Sequence, residues 1–118
     1  MIRNRDFLVK DLIDEGLLQA GAKLTWDRKE YGVDYWAEVL DTGKIKLLKS
    51  GIFEFTDNLT CNSPSEAAKK AANTVAAQPG REKERILNCN GWEKWCTDDG
   101  KPLIDLRKQY FVKRGIIG

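Results

Sequence analysis

The stretch Cys89-Asn90-Gly91-Trp92-Glu93-Lys94-Trp95 places a carboxamide, two indoles three residues apart and an ammonium within seven residues. An Asn amide donates and accepts at once, so it can pair with a base edge, adenine in particular. A Trp face can stack on an unpaired base, worth roughly 1–3 kcal/mol per base. Upstream, Ser63-Pro64-Ser65-Glu66 reads as a helix start, whose free backbone N–H groups suit a phosphate. Ser65 in the first turn can reach that phosphate. Lys69, Lys70, Arg81, Lys83, Arg85 and Arg107 add cations for a nucleic-acid backbone.

Each of these residues also has a purely structural reading. Ser63 is a helix cap. Asn90-Gly91 is a tight turn that uses the positive φ glycine allows. Trp92 and Trp95 are core plugs or stacking platforms, and the expectation is that one is buried and the other partly exposed. Trp26 and Trp36 lie in strand patterns and read as packing residues.

An enzyme is the competing class. The chain contains no His, which removes the imidazole base, the Ser-His and Cys-His pairs and most metal sites. The acidic pairs Asp98-Asp99 and Asp14-Glu15 lack a third ligand at useful spacing. No Gly-rich phosphate loop, methyltransferase cofactor motif or nuclease cluster is present. The expectation is a non-catalytic protein without metal or cofactor. A protein-docking module is the third class.

The chain has 118 residues, enough for one domain, 1–118, with its own core. The formal net charge is +2, but residues 1–30 are neutral, 31–60 carry −2 and 61–118 carry +4. The basic excess therefore sits in the half that holds the candidate site, as for a phosphate-binding surface. Three cysteines, at 61, 89 and 96, form neither a Cys-x-x-Cys pair nor an even disulfide set, so a reduced cytoplasmic setting is expected. No apolar run is long enough to span a bilayer, and the first residues do not read as a signal peptide.

These side chains must be positioned by the following elements. Residues 6–15 read as an amphipathic helix with Leu8, Leu12 and Ile13 on one face, Phe7 and Val9 flanking, and Gly16 as the stop. Strands follow at 22–26, 35–40 and 45–47, with a fourth at 52–55. A charged loop spans 27–34 and a tight turn spans 41–44. A polar connector, 56–62, leads to a capping-box helix that runs to about Ala76. That helix has a face of Ala67, Ala68, Ala71, Ala72, Val75 and Ala76, with Lys69, Lys70 and Asn73 pointing outward. A basic loop, 77–88, carries alternating charges over 80–88 that read as an exposed loop or a short solvated helix of high mobility. A last helix opens at Pro102 and runs to about Phe111, with Leu103, Leu106 and Tyr110 inward, and the tail 115–118 reads as frayed. The fold class is α+β, a small antiparallel β-meander packed by about three helices.

In this order the pieces resemble the restriction enzyme adenine methylase associated (RAMA) family. The resemblance rests on Asp11-Leu12-Ile13-Asp14-Glu15-Gly16-Leu17-Leu18 with Lys23-Leu24-Thr25-Trp26, then Ala37-Glu38-Val39-Leu40 with Asp41-Thr42-Gly43-Lys44-Ile45. It continues through Ser63-Pro64-Ser65-Glu66-Ala67-Ala68, Asn90-Gly91-Trp92-Glu93-Lys94-Trp95 and Asp99-Gly100-Lys101-Pro102-Leu103-Ile104-Asp105-Leu106-Arg107. It covers about residues 8–111, and the 77–88 loop looks longer than the family's usual connection. The resemblance implies a DNA-associated module of restriction, modification or defence proteins, a proposed reader of methylated DNA. In the family's methyltransferases the matching Ser and Asn-Gly-Trp segment help hold DNA, which by position implies Ser63, Asn90 and Trp92. Ser65, Lys69, Arg81, Arg85 and Trp95 complete the expected DNA-binding set. The expected partners are DNA, as a modified duplex or flipped base, and a methyltransferase or nuclease module fused or encoded nearby, with no membrane.

Overall fold

The computed structural model describes residues 8–56 and 59–115. The chain is α+β: an antiparallel sheet is covered by helices, and α2 lies against β3 and β5. Helix α1 (Val9–Asp14) comes first, then strands β1 (Lys23–Arg28), β2 (Val33–Val39), β3 (Ile45–Ser50), β4 (Phe53–Glu54) and β5 (Thr60–Cys61). Helices α2 (Pro64–Ala76), α3 (Gly91–Lys94) and α4 (Leu103–Lys113) follow. The meander β1-β2-β3-β4 is joined by β5, which pairs with the other end of β3's outer edge. The connector expected at 56–62 thus supplies a strand, while β4 is shorter than 52–55.

Alternation sets which side chains face the helices. Leu24, Trp26 and Arg28 of β1 and Tyr35, Ala37 and Val39 of β2 point inward. The strands run further into the 27–34 region than the charge pattern suggests, and a 3-10 turn at Lys29–Tyr31 with Gly32 at φ 67° closes the hairpin. The β2–β3 register shifts between Trp36 and Ala37: Ala37 pairs with Leu47 but Trp36 with Lys49. Such a bulge re-aims the residues beyond it. Here it turns Ser50 inward behind Ile45 and Leu47.

The helices obey their local sequence. Gly16, at φ 79°, ends α1 in a Schellman motif: the Gly16 N–H donates to the Ile13 carbonyl and the Leu17 N–H to that of Leu12. The buried face of α1 is Val9 and Leu12, whereas Leu8 is exposed and Ile13 half-buried, because Leu8 is the N-cap and stands outside the helix. The part of this expected helix at residues 6 and 7, and the tail at 116–118, lie outside the described residues. Helix α2 buries the predicted alanine face with Val75, so its backbone lies close to the sheet. Its capping box is half-formed: the Ser63 hydroxyl accepts from the Glu66 N–H at 3.1 Å, while Glu66 itself is exposed. In α4, Leu103, Leu106, Tyr110 and Phe111 face the core, and Pro102 stands as N-cap.

The connector after α2 is anchored where a mobile loop was expected. A 3-10 turn, Glu82–Glu84, carries the Glu84 side chain into the interior, 1% exposed. Arg81 clasps that carboxylate with two nitrogens, at 2.5 and 2.8 Å, and reaches the Ser50 carbonyl and hydroxyl at 3.2 and 2.8 Å. The Tyr35 hydroxyl donates to Glu84, Arg28 donates to the Glu84 backbone carbonyl at 2.7 Å, and the Ser50 hydroxyl donates to the Asp34 carbonyl at 2.5 Å. Every charged or polar member of this interior group thus has a partner, as burial demands.

This group has a pH signature. Burial, with the hydrogen bond to Glu84, pushes the Tyr35 hydroxyl up to about 12. Burial also raises the Glu84 carboxyl, but its bonds to Arg81 and Tyr35 outweigh that, and it rests below its ordinary value. The raised Tyr35 group contributes stability that is whole below pH 10 and disappears as pH climbs through about 12. The lowered Glu84 group contributes stability that is whole above the ordinary carboxylate range and is lost as pH falls through its folded value. Chemical denaturation from pH 9 to 12 should show wild-type stability dropping by up to about 2 kcal/mol more than that of Tyr35→Phe. Parallel curves for the two proteins would show that Tyr35 ionises without disturbing the fold.

Candidate nucleic-acid interface

The N-terminal turn of α2 and the short helix α3 meet at van der Waals limits. A Cβ built on Gly91 would stand 2.0 Å from the Pro64 carbonyl oxygen and 2.4 Å from the Ser65 nitrogen. No side chain fits there. Gly91 is absent from the glycines with positive φ, so its role is close approach and not turn conformation. The Ser65 hydroxyl accepts the Gly91 N–H at 2.9 Å, and the Trp95 indole N–H donates to the Pro64 carbonyl at 3.1 Å. The Asn90 side-chain oxygen accepts the Trp92 N–H at 3.1 Å and caps α3.

The segment before this joint runs along one face of α2. The Asn73 side-chain oxygen accepts the Ile86 N–H at 2.9 Å, and Ser65 holds Gly91. Ser65, Lys69 and Asn73 are spaced four apart on one helix face, so residues 86–91 are clipped at both ends with Lys69 between the clips. Asn73, expected to point into solvent, is therefore half-buried against this segment. Its spacing from Ser65 was the available signal.

Both indoles of the motif are buried, which corrects the expectation that one would stand open. Trp95 is fully buried, with its edge on Trp26 at a centroid distance of 6.0 Å. Trp92 is 8% exposed, and the Arg107 guanidinium sits 4.9 Å from its ring centroid. Trp95 has no face for a base, and Trp92 offers little beyond what Arg107 covers. Burial lowers the Arg107 pKa from its ordinary value, against the pull of Glu93.

Arg81 is the second correction. Its guanidinium is spent on Glu84 and Ser50. Ser63 and Ser65 are half-buried, and their hydroxyls serve the cap and the joint. Lys69, Lys70, Arg85 and Asn90 are exposed, as is Lys94. Arg28, Ser50 and Glu84 were not singled out from sequence. Alternating charge at 81–85 conceals the inward glutamate, although the spacing of Arg81 and Glu84 permits an ion pair.

Burial pushes the half-buried Cys89 thiol up, and the charges of Lys94, Arg28 and Lys69 pull the other way. Beside it lies a cleft of about 430 Å³ lined by Arg28, Asn88, Glu93 and Lys94 among others, so its charges are mixed. Burial also pushes Cys96 up and Cys61 to about 11. No group of three acidic or cysteine side chains among the described residues is arranged to hold a metal ion. None of the described helices is long and apolar enough to cross a membrane.

A protein-family model described as Restriction Enzyme Adenine Methylase Associated matches residues 2–115 of the chain. No curated protein matches it.

Three substitutions separate the joint from a ligand surface. Gly91→Ala should cost about 3 kcal/mol or more, since backbone must move on both sides of the contact. Ser65→Ala should cost about 1–2 kcal/mol through the unpaired Gly91 N–H. Trp92→Ala should cost about 3–5 kcal/mol as a core truncation. Equilibrium urea unfolding measures all three. A Trp92→Ala protein of wild-type stability would return Trp92 to the surface.

Proposed function

Since the chain belongs to the RAMA family, we propose that it is a non-catalytic DNA-recognition module of a restriction–modification adenine-methylation system. The observation that carries this reading is the exposed cations that precede the clipped segment together with the exposed amides along it. Between residues 83 and 92 the exposed side chains are Lys83, Arg85, Leu87, Asn88 and Asn90, Glu84 is turned inward and paired, and exposed Glu82 and Glu93 bound the run. Lys69 flanks the segment on α2 and Lys94 on α3, both exposed.

In this reading Lys69, Arg85 and Lys94 bind phosphates and set the register on the duplex. The Asn90 oxygen is used by the α3 cap, which leaves its amide N–H groups to donate to a base acceptor. Ser65 supports the site from beneath by fixing α2 against α3, and Ser63 caps the start of α2. The module works beside a methyltransferase or nuclease, fused or separately encoded, in the cytoplasm. A response to base methylation is part of the proposal. A docking module without DNA contact is the second reading, and the observation in its favour is Ile52, fully exposed on the turn before β4.

Fluorescence anisotropy with labelled duplexes, with and without N6-methyladenine, at several salt concentrations tests the reading. Salt-dependent binding in the micromolar range is expected, and the methylated duplex should bind with a different affinity. Lys69→Gln and Lys94→Gln should each lower the log–log salt slope by about 1 and leave the melting temperature unchanged. Absence of salt-dependent binding to either duplex, with capture of a partner protein that requires Ile52, would favour docking instead.

A further inference from the structure

We propose that Leu87 is a wedge that enters the DNA base stack at a distorted or unpaired step; this rests on the DNA-recognition reading above. Leu87 is 81% exposed. One exposed leucine is ordinary on a protein surface. What sets this one apart is the frame that holds it.

Residues 85–90 form no helix or strand, yet three anchors fix them. Glu84 is locked by Arg81, Tyr35 and Arg28 at one end. The Ile86 N–H is held by Asn73 at 2.9 Å, and the Ile86 side chain packs against the core. The Gly91 N–H is held by Ser65 at 2.9 Å at the other end. An unanchored loop would be free to fold its leucine back onto the protein. Here Ile86 faces inward, Leu87 stands out on the bend that follows it, and the anchors hold the backbone on both sides of that bend.

The neighbours of Leu87 specify the partner. Lys83 and Arg85 on one side are exposed cations, and Asn88 and Asn90 on the other are exposed carboxamides. Cations bind phosphates, amides bind base edges, and an aliphatic side chain between them has the chemistry to replace a lost stacking contact. An apolar protein partner would meet exposed cations on one side of this leucine in sequence and exposed amides on the other. The arrangement fits a duplex opened at one step. It also supplies what the buried indoles cannot, a side chain that reaches between bases.

The test uses the whole chain and duplexes with 2-aminopurine at each position in turn, either fully paired or with one abasic site. Wild-type protein should raise 2-aminopurine fluorescence at one step of the paired duplex, as unstacking does. Leu87→Ala should abolish the rise and weaken binding to the paired duplex by about five-fold or more. It should bind the abasic duplex within about two-fold of wild type, where the stack is already broken. Its melting temperature should match wild type, because the side chain is outside the core. Wild-type binding with no fluorescence change, or a Leu87→Ala loss of equal size on both duplexes, overturns the wedge and leaves the DNA-recognition reading standing. Failure of wild-type protein to bind any duplex overturns both.

Discussion

The approach of Gly91 to the Pro64 carbonyl is the constraint on which the architecture turns. Two backbones touch with no room for a Cβ, and the groups around the contact are satisfied by it: Ser65 takes the Gly91 N–H and Trp95 donates to Pro64. This contact joins the start of α2 to α3. Through Trp95 it reaches the sheet, because the Trp95 ring meets Trp26 of β1. The next residue, Cys96, exchanges backbone hydrogen bonds with Thr25 on the outer edge of β1, at 2.9 and 2.8 Å. A four-residue helix thereby ties the largest helix, the first strand and the start of α4 together. It gains its stability from these contacts and not from its own length.

Much of the fold is legible in local sequence, because local physics decides it. The Schellman end at Gly16, the turn at Gly43 and the buried face of α2 follow from glycine conformation and helical spacing. What was not legible depends on contacts distant in sequence. Arg81 and Glu84 look like a solvated charge run until Tyr35, Ser50 and Arg28, more than thirty residues away, are brought against them. Ser50 faces inward only because a bulge beside Trp36 shifts the phase of β3. Asn-Gly suggests a positive-φ turn, whereas here Asn90 caps a helix and Gly91 admits a neighbouring backbone.

The same lesson applies to the candidate site. Residue types that suit nucleic-acid chemistry also suit capping and packing, and the structure divides them. Ser63, Ser65, Trp95 and Arg81 serve the interior, and Trp92 is largely covered. Asn90 serves both sides, with its oxygen inward and its exposure outward. Lys69, Arg85 and Lys94 face solvent. Motif residues that build a joint place other residues around it, so in the proposed reading the motif marks the region and its exposed neighbours are the ones that would meet DNA. Charge counted along the chain does not tell which side chains reach the surface: Arg81 and Glu84 both enter the +4 of residues 61–118, yet they are paired with each other away from any ligand surface.

Asn-Gly-Trp-x-x-Trp is an internal clamp, and the proposed DNA-facing surface lies over it. Proton NMR of the Trp95 indole N–H, followed during hydrogen exchange and then during saturation with duplex, tests it most directly. The account predicts exchange as slow as the most protected amides of β2 and a resonance that scarcely moves when DNA is added. Exchange at the rate of an open loop, or a large shift on adding DNA, would put the indole at the ligand and contradict the clamp.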